Sequence, residues 1–346
     1  MSSHGFLPGR DEGWQEAVPP GHLAAAALSG RCHANARDCR CGDPYSHQGR
    51  GMMTSSSIRR VTIIGCGLIG ASAALALRKA GVEVALSDRD PHAVAVAERM
   101  GAGVALTPGA PAADVVVVAT PPSTVAAVLR DAQARGLGAV YTDVASTKAR
   151  VVAEAERAGC DLTAYVPGHP MAGAEASGPL AARADLFAGR PWTLCPLPTT
   201  PLRPVRVVAE LVAACGAEHR LLAPDVHDLA VAASSHAPHL VSAALAARFA
   251  GADETTLSLV GPGLRDVTRV AGGAPGLWCD ILRQNAEPVA AVLEAVARDL
   301  AAAAAALRDP EGGQLLADLL TKGNDGRARI VGGGAEHTAP AGALAA

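Results

Sequence analysis

The run Gly65-Cys66-Gly67-Leu68-Ile69-Gly70 follows an apolar stretch at 60–64 and opens a second one that continues to Gly81. Each glycine at this spacing has its own task. Gly65 permits a tight turn, Gly67 lets an anion reach the backbone, and Gly70 lets a helix close on a strand. The helix start beyond the turn, with Leu68 and Ile69 in its first turn, offers free N–H groups and the positive end of a dipole. A chain built this way is held to a strand–turn–helix unit that cradles a dinucleotide. The next strand ends on Asp88, 18 residues past Gly70. An acid there suits the ribose hydroxyls of NAD, while the adjacent Arg89 leaves room for the 2′-phosphate of NADP. NAD is therefore the expected cofactor and NADP the less favoured one.

The text downstream repeats the same alternation. Residues 113–122, "ADVVVVATPP", read as a buried parallel strand whose carboxyl end carries Thr120, where open α/β sheets bind ligands. Residues 139–146, "AVYTDVAS", give another strand that brings Asp143, Ser146 and Lys148 toward the same crevice. Ser146 suits either a helix N-cap or a donor to substrate, and Lys148 either an anion site or a solvated charge. Strands alternating with crossover helices imply an α/β fold with an N-terminal, doubly wound Rossmann-type domain. Four prolines within residues 196–204 mark a boundary. Beyond it the pattern is helical, which predicts an all-α C-terminal domain whose apolar faces need a partner and so suggests a homodimer. The expected organisation is a disordered extension over 1–57, a dinucleotide-binding domain over 58–200, a helical substrate and dimerisation domain over 201–310, and a disordered tail over 311–346. The adjacent Met52 and Met53 make an over-called start an alternative account of the extension.

Composition narrows the partners. A formal charge of −3 and 3% aromatic residues give no reason to expect nucleic acid. No apolar run reads as a convincing membrane span. The eight cysteines follow no secretory leader, so reduced thiols and the cytoplasm are expected. Cys32, His33, Cys39, Cys41 and His47 do not have zinc-ligand spacing, and His227, His236 and His239 lack a fourth ligand, so no metal is expected.

The segment "PGHPMAGAEASG" at 167–178 holds His169 between a glycine and a proline, which biases it toward extended backbone. Together with "HDLAVAASSHAPH" (227–239) and "GLRDVTRVAGGAPGLWCDIL" (263–282), it makes the chain resemble the prephenate/arogenate dehydrogenase family of tyrosine biosynthesis from about residue 60 to 305. The resemblance implies an NAD-dependent oxidoreductase that removes a hydride from ring C4 of prephenate and releases CO2. It implies that His169 is the catalytic group at the ring hydroxyl and that Ser146 aligns it. It also implies substrate contacts from Arg269, His239, His227, Glu175 and Trp278. Asp266, three residues before Arg269 on the same helical face, is expected to hold that arginine, to serve a gate or to form a plain surface ion pair. Twelve residues separate His227 from His239. That is about 120° on a straight helix, so periodicity alone does not bring them to one pocket, and Pro238 must disturb the helix. Arogenate and an amino-substituted prephenate remain alternative substrates. A 3-hydroxyacid dehydrogenase would need a lysine in the helical half, and none lies between Lys148 and Lys322. A non-catalytic NAD sensor would not need His169, Ser146 and Arg269 together.

Overall fold

In the computed structural model, residues 57–173 and 176–335 are described. The first sheet is built from β1 (Arg60–Ile64), β2 (Glu83–Ser87), β3 (Val104–Ala105), β4 (Ala113–Val118), β5 (Gly138–Asp143) and β6 (Tyr165–Val166). Its spatial order is β3-β2-β1-β4-β5-β6, with every pairing parallel. The order reverses beside β1, so a crevice opens at the carboxyl ends of β1 and β4. The crossovers are α1 (Leu68–Lys79), α2 (Pro91–Arg99), α3 (Val125–Ala134) and α4 (Ala149–Arg157). Val115, Val116, Val117 and Val118 are all fully buried, as expected of a strand covered on both faces.

A second, three-stranded sheet follows. It consists of β7 (Gly168–Pro170), β8 (Pro191–Leu194) and, after α5 (Leu202–Ala214), β9 (Glu218–Leu221). β7 runs antiparallel to β8, and His169 lies opposite Thr193. β9 adds parallel to β8 and lies beyond the boundary expected at 200/201. The first domain therefore runs on through residue 221. Three of the four residues of β9, Glu218, His219 and Arg220, are exposed and polar and only Leu221 packs on the core, so the segment carries almost no apolar signature. Pairing with β8, rather than side-chain burial, makes them a strand.

The remainder is helical: α6 (Pro224–Val231), α7 (Ala237–Ala246), α8 (Glu254–Ser258), α9 (Pro262–Thr268), α10 (Pro275–Gln284), α11 (Ala286–Ala306) and α12 (Gly313–Ala335). A π turn, Ala232–His236, joins α6 to α7 just ahead of Pro238. Pro238 has no N–H to offer the carbonyl four residues back, which supports the local widening. Residues Pro224–Phe249 are long and apolar enough, with mean hydropathy 1.2, to cross a bilayer by length and composition. The stretch nevertheless buries His227, Asp228, His236 and His239. Of the tail expected to be disordered over 311–346, residues 336–346 lie outside the described residues, and the described part is instead helical: α12 runs for 23 residues beside α11. Its mixed polarity reflects an exposed helix rather than the absence of one.

Candidate active site

The glycine turn performs the three tasks its spacing demands. Gly65 has φ +109°, and a Cβ there would lie 2.3 Å from the Ala119 carbonyl oxygen. A Cβ on Gly70 would lie 1.9 Å from the Gly65 carbonyl oxygen. By contrast, a Cβ on Gly67 would meet nothing within 4 Å. Two glycines are thus required by the protein itself, and the third faces open space that fits a pyrophosphate. Asp88 braces the turn, accepting the Cys66 N–H at 2.6 Å and the Asp90 N–H at 2.9 Å. Burial, with the Asp88 charge adding to it, pushes the Cys66 thiol up to about 12, which makes it unreactive. Arg89 is exposed, and neither it nor Asp88 lines the adjoining cleft.

That cleft encloses about 650 Å³. Gly67, Leu68, Ile69 and Thr120 line its nucleotide end, and Ser146, His169, Met171, Arg190, Ser234, Ser235, His236 and Trp278 line the other. No aspartate or glutamate lines it among the described residues, and Arg190 is the only Lys or Arg that does.

The strand end at Asp143 is a buried polar knot. Its carboxylate pairs with the Lys148 ammonium, and both side chains are fully buried. It also accepts the Tyr165 hydroxyl at 2.5 Å and the Ala145 N–H at 2.8 Å. Burial, reinforced by this carboxylate, holds the Tyr165 hydroxyl well above its ordinary range. Lys148 Nζ further donates to the Gly168 carbonyl at 2.6 Å. Neither an anion site nor a solvated charge describes Lys148; it fixes the backbone one residue before His169. Gly168 is required here, because a Cβ on it would come within 2.8 Å of the Asp143 carbonyl oxygen.

His169 is 8% exposed and lines the cleft. Burial, followed by the neighbouring His227 and Lys148, holds its imidazole well below the ordinary histidine range, in the neutral form. Its Nδ1 lies 2.8 Å from His227 Nε2, and His227 Nδ1 lies 2.8 Å from Asp228 Oδ1. Asp228 also accepts the Lys148 N–H at 2.8 Å and the Ala149 N–H at 2.9 Å. The cap of α4 therefore comes from Asp228, and Ser146 keeps its hydroxyl for the cleft.

Several residues depart from their expected places. His227 is 1% exposed and stands behind His169 rather than in the cleft. His239 is stacked on Trp278, with ring centroids 3.4 Å apart, and only Trp278 reaches the cleft wall. A Cβ on Gly273 would lie 2.2 Å from Trp278 Nε1, so this glycine admits the indole. The turn into α7 is what sends His227 and His239 to different neighbours. Arg269 and Asp266 are exposed on α9 and the turn after it, outside the cleft lining within one chain. Glu175 lies outside the described residues, as do Cys32, His33, Cys39, Cys41 and His47. Among the described residues no cluster of metal-ligating side chains forms.

Three residues of the site have little sequence signature. Asp228 is adjacent to a histidine and near a helix start, a hint at most. Arg190 sits just before β8, and His236 ends the π turn ahead of Pro238. Asn285 Nδ2 lies 2.8 Å from the Asp228 carbonyl oxygen and 3.1 Å from His236 Nδ1. An amide nitrogen only donates, so His236 Nδ1 accepts and its Nε2 carries the hydrogen. That Nε2 is buried without a hydrogen-bond partner among the described residues.

A nucleotide cleft at the sheet's switch point, closed by helices and holding a buried histidine, defines a two-domain dehydrogenase. Residues 73–221 match the family model for the prephenate dehydrogenase nucleotide-binding domain, and residues 223–321 match that for its dimerization domain. The boundary between the two follows β9. A probable prephenate dehydrogenase of Streptomyces niveus, NovF, is 41% identical over 80% of this chain and 78% of its own. The prephenate dehydrogenase of Bacillus subtilis is 31% identical over 66% of this chain and 65% of its own. The prephenate dehydrogenase of Aquifex aeolicus, solved with hydroxyphenyl propionate and NAD+, superposes with a TM-score of 0.71. That structure is 26% identical and is matched over 80% of this chain and 99% of its own. The chain belongs to the prephenate dehydrogenase family and is an oxidoreductase.

Proposed function

We propose that the chain oxidises prephenate to 4-hydroxyphenylpyruvate with NAD+, releasing CO2. The observation that carries this is the pairing, in one cleft, of an open glycine turn with a histidine that burial keeps neutral. Gly67, Leu68, Ile69 and Thr120 would hold the dinucleotide, with Asp88 at the ribose, and bound NAD+ supplies the acceptor for the hydride from ring C4. His169 takes the proton from the C4 hydroxyl as the carbonyl forms, and neutral imidazole is the form able to do so. The C1–carboxylate bond then breaks, its electron pair completes the aromatic ring, and the proton held by His169 returns to the phenolate oxygen. Ser146 is suited to hydrogen-bond the same hydroxyl.

The substrate's carboxylates need donors. Arg190 supplies a cation at the cleft wall and His236 Nε2–H a buried donor, in contrast to the proton-accepting role of His169. The relatives named as prephenate dehydrogenases, 41% and 31% identical to this chain, favour prephenate over arogenate. Leu259, Leu300, Leu307 and Ile330 are between 60% and 81% exposed, an apolar surface suited to a second copy. Arg269 and Asp266 would then act at the assembled site. Five thiols, from Cys66 to Cys279, are free among the described residues, in keeping with the cytoplasm. The test is purified protein with NAD+ or NADP+ and prephenate or arogenate. NADH should form fastest with prephenate, and no NADH with either substrate would overturn the assignment.

A further inference from the structure

Asp228 is a buried carboxylate reached by three donors: His227 Nδ1 and the main-chain N–H groups of Lys148 and Ala149. Main-chain N–H groups can only donate, and the amino end of α4 favours a negative charge at this point. A carboxylate so placed accepts from His227 Nδ1–H. With one proton per ring, His227 Nε2 is then bare and accepts from His169 Nδ1–H across 2.8 Å. The direction is handed on from ring to ring, because the bond made at one ring nitrogen decides what the other can do.

We infer that Asp228, acting through His227, sets the tautomer of His169 so that its bare Nε2 faces the cleft. Asp228 and His227 are positioning residues: neither touches the cleft's open space, and their effect is to keep a lone pair where a proton must be taken. A free imidazole would not hold this arrangement by itself. The same network steadies the imidazolium formed during the reaction, because the ionic charge of Asp228 lies at the other end of the hydrogen-bonded chain. This inference rests on the proposed role of His169 as proton acceptor.

The test has two arms. In protein with 15N-labelled imidazoles, NMR should report His169 as protonated at Nδ1 and bare at Nε2, with no substrate present. In His227→Leu the acceptor is gone, and the His169 signals should move toward the Nε2–H form. His227→Gln retains an acceptor for Nδ1–H and should restore the wild-type pattern at least in part. In turnover, His227→Leu should lose roughly 100-fold or more in kcat with KM within about threefold, and His227→Gln should recover part of that loss. Asp228→Asn places an amide where only an acceptor stood, so the proton is no longer held on His227 Nδ1 and the His169 signals should move in the same direction as in His227→Leu. A wild-type His169 protonated at Nε2, or a His227→Leu enzyme within threefold in kcat, would overturn the inference. The NMR arm needs no substrate, so it stays readable even if prephenate proves to be the wrong one.

Discussion

Lys148 and Asp143 form an ion pair with no exposed surface on either side chain, directly beneath the strand that carries His169. Removing one ion leaves the other buried without its partner, which costs about 3–5 kcal/mol. Lys148→Met should therefore lower Tm by roughly 10 °C. It should also slow catalysis, because the Gly168 carbonyl loses its donor. Calorimetry on the folded variant checks the first, and steady-state kinetics the second.

His169→Asn removes the proton acceptor while keeping a polar side chain of modest size. The expected outcome is a fall in kcat of roughly 10²- to 10⁴-fold with substrate KM nearly unchanged. Wild-type kcat in the variant would take His169 out of the mechanism.

The two glycines of the turn should respond in opposite ways to the same added methyl group. In Gly67→Ala the Cβ meets open space, so stability should stay within about 0.5 kcal/mol while KM for NAD+ rises. In Gly70→Ala the Cβ is driven against the Gly65 carbonyl, which should cost about 1–3 kcal/mol in overpacking. Thermal melts and cofactor titrations on the two variants separate packing from binding.

Arg190→Gln keeps the polarity but removes the cation that lines the cleft. If it holds a substrate carboxylate, KM for prephenate should rise about 10- to 100-fold, with kcat less affected. An unchanged KM for both prephenate and NAD+ would assign Arg190 to the surface.

Burial, the leading cause, lowers His236 from 6.5 to about 4. A histidine held neutral in the fold adds nothing against unfolding above pH 6.5, where both states are neutral. Below that the unfolded chain takes up the proton first, so stability falls as pH drops from 6.5 to about 4. The loss is on the order of 3 kcal/mol. Denaturant melts at stepped pH should show His236→Gln losing less stability over this interval than the wild-type protein.

The parts of this architecture legible in the sequence are those written in contiguous residues. The strand–glycine–helix unit at 60–79 is one, since turn, close approach and packing are each fixed by a local glycine. The placing of His169 on extended backbone is another, because Pro170 imposes it. What escaped is defined by partners far along the chain. β9 is polar and exposed in three of its four residues, and pairing with β8 makes it a strand. The burial of Lys148 depends on Asp143 and Gly168, and a lysine in a helix's first turn gives no sign of it. Asp228 caps a helix that begins 79 residues earlier, a relationship that no periodicity encodes. α12 escaped for a different reason: its glycines and mixed polarity hid a helix that buries little.

The cap on α4 also has a consequence for how the protein matures. Its carboxylate comes from α6, after the nucleotide-binding half of the chain is complete, and it serves the catalytic histidine and the helix start together. Without α6 in place, His169 would lack its His227 partner and α4 its cap. Arrival of α6 supplies both in one docking event. Orientation of the histidine and closure of the helix start are therefore one event of tertiary assembly, lost or gained together.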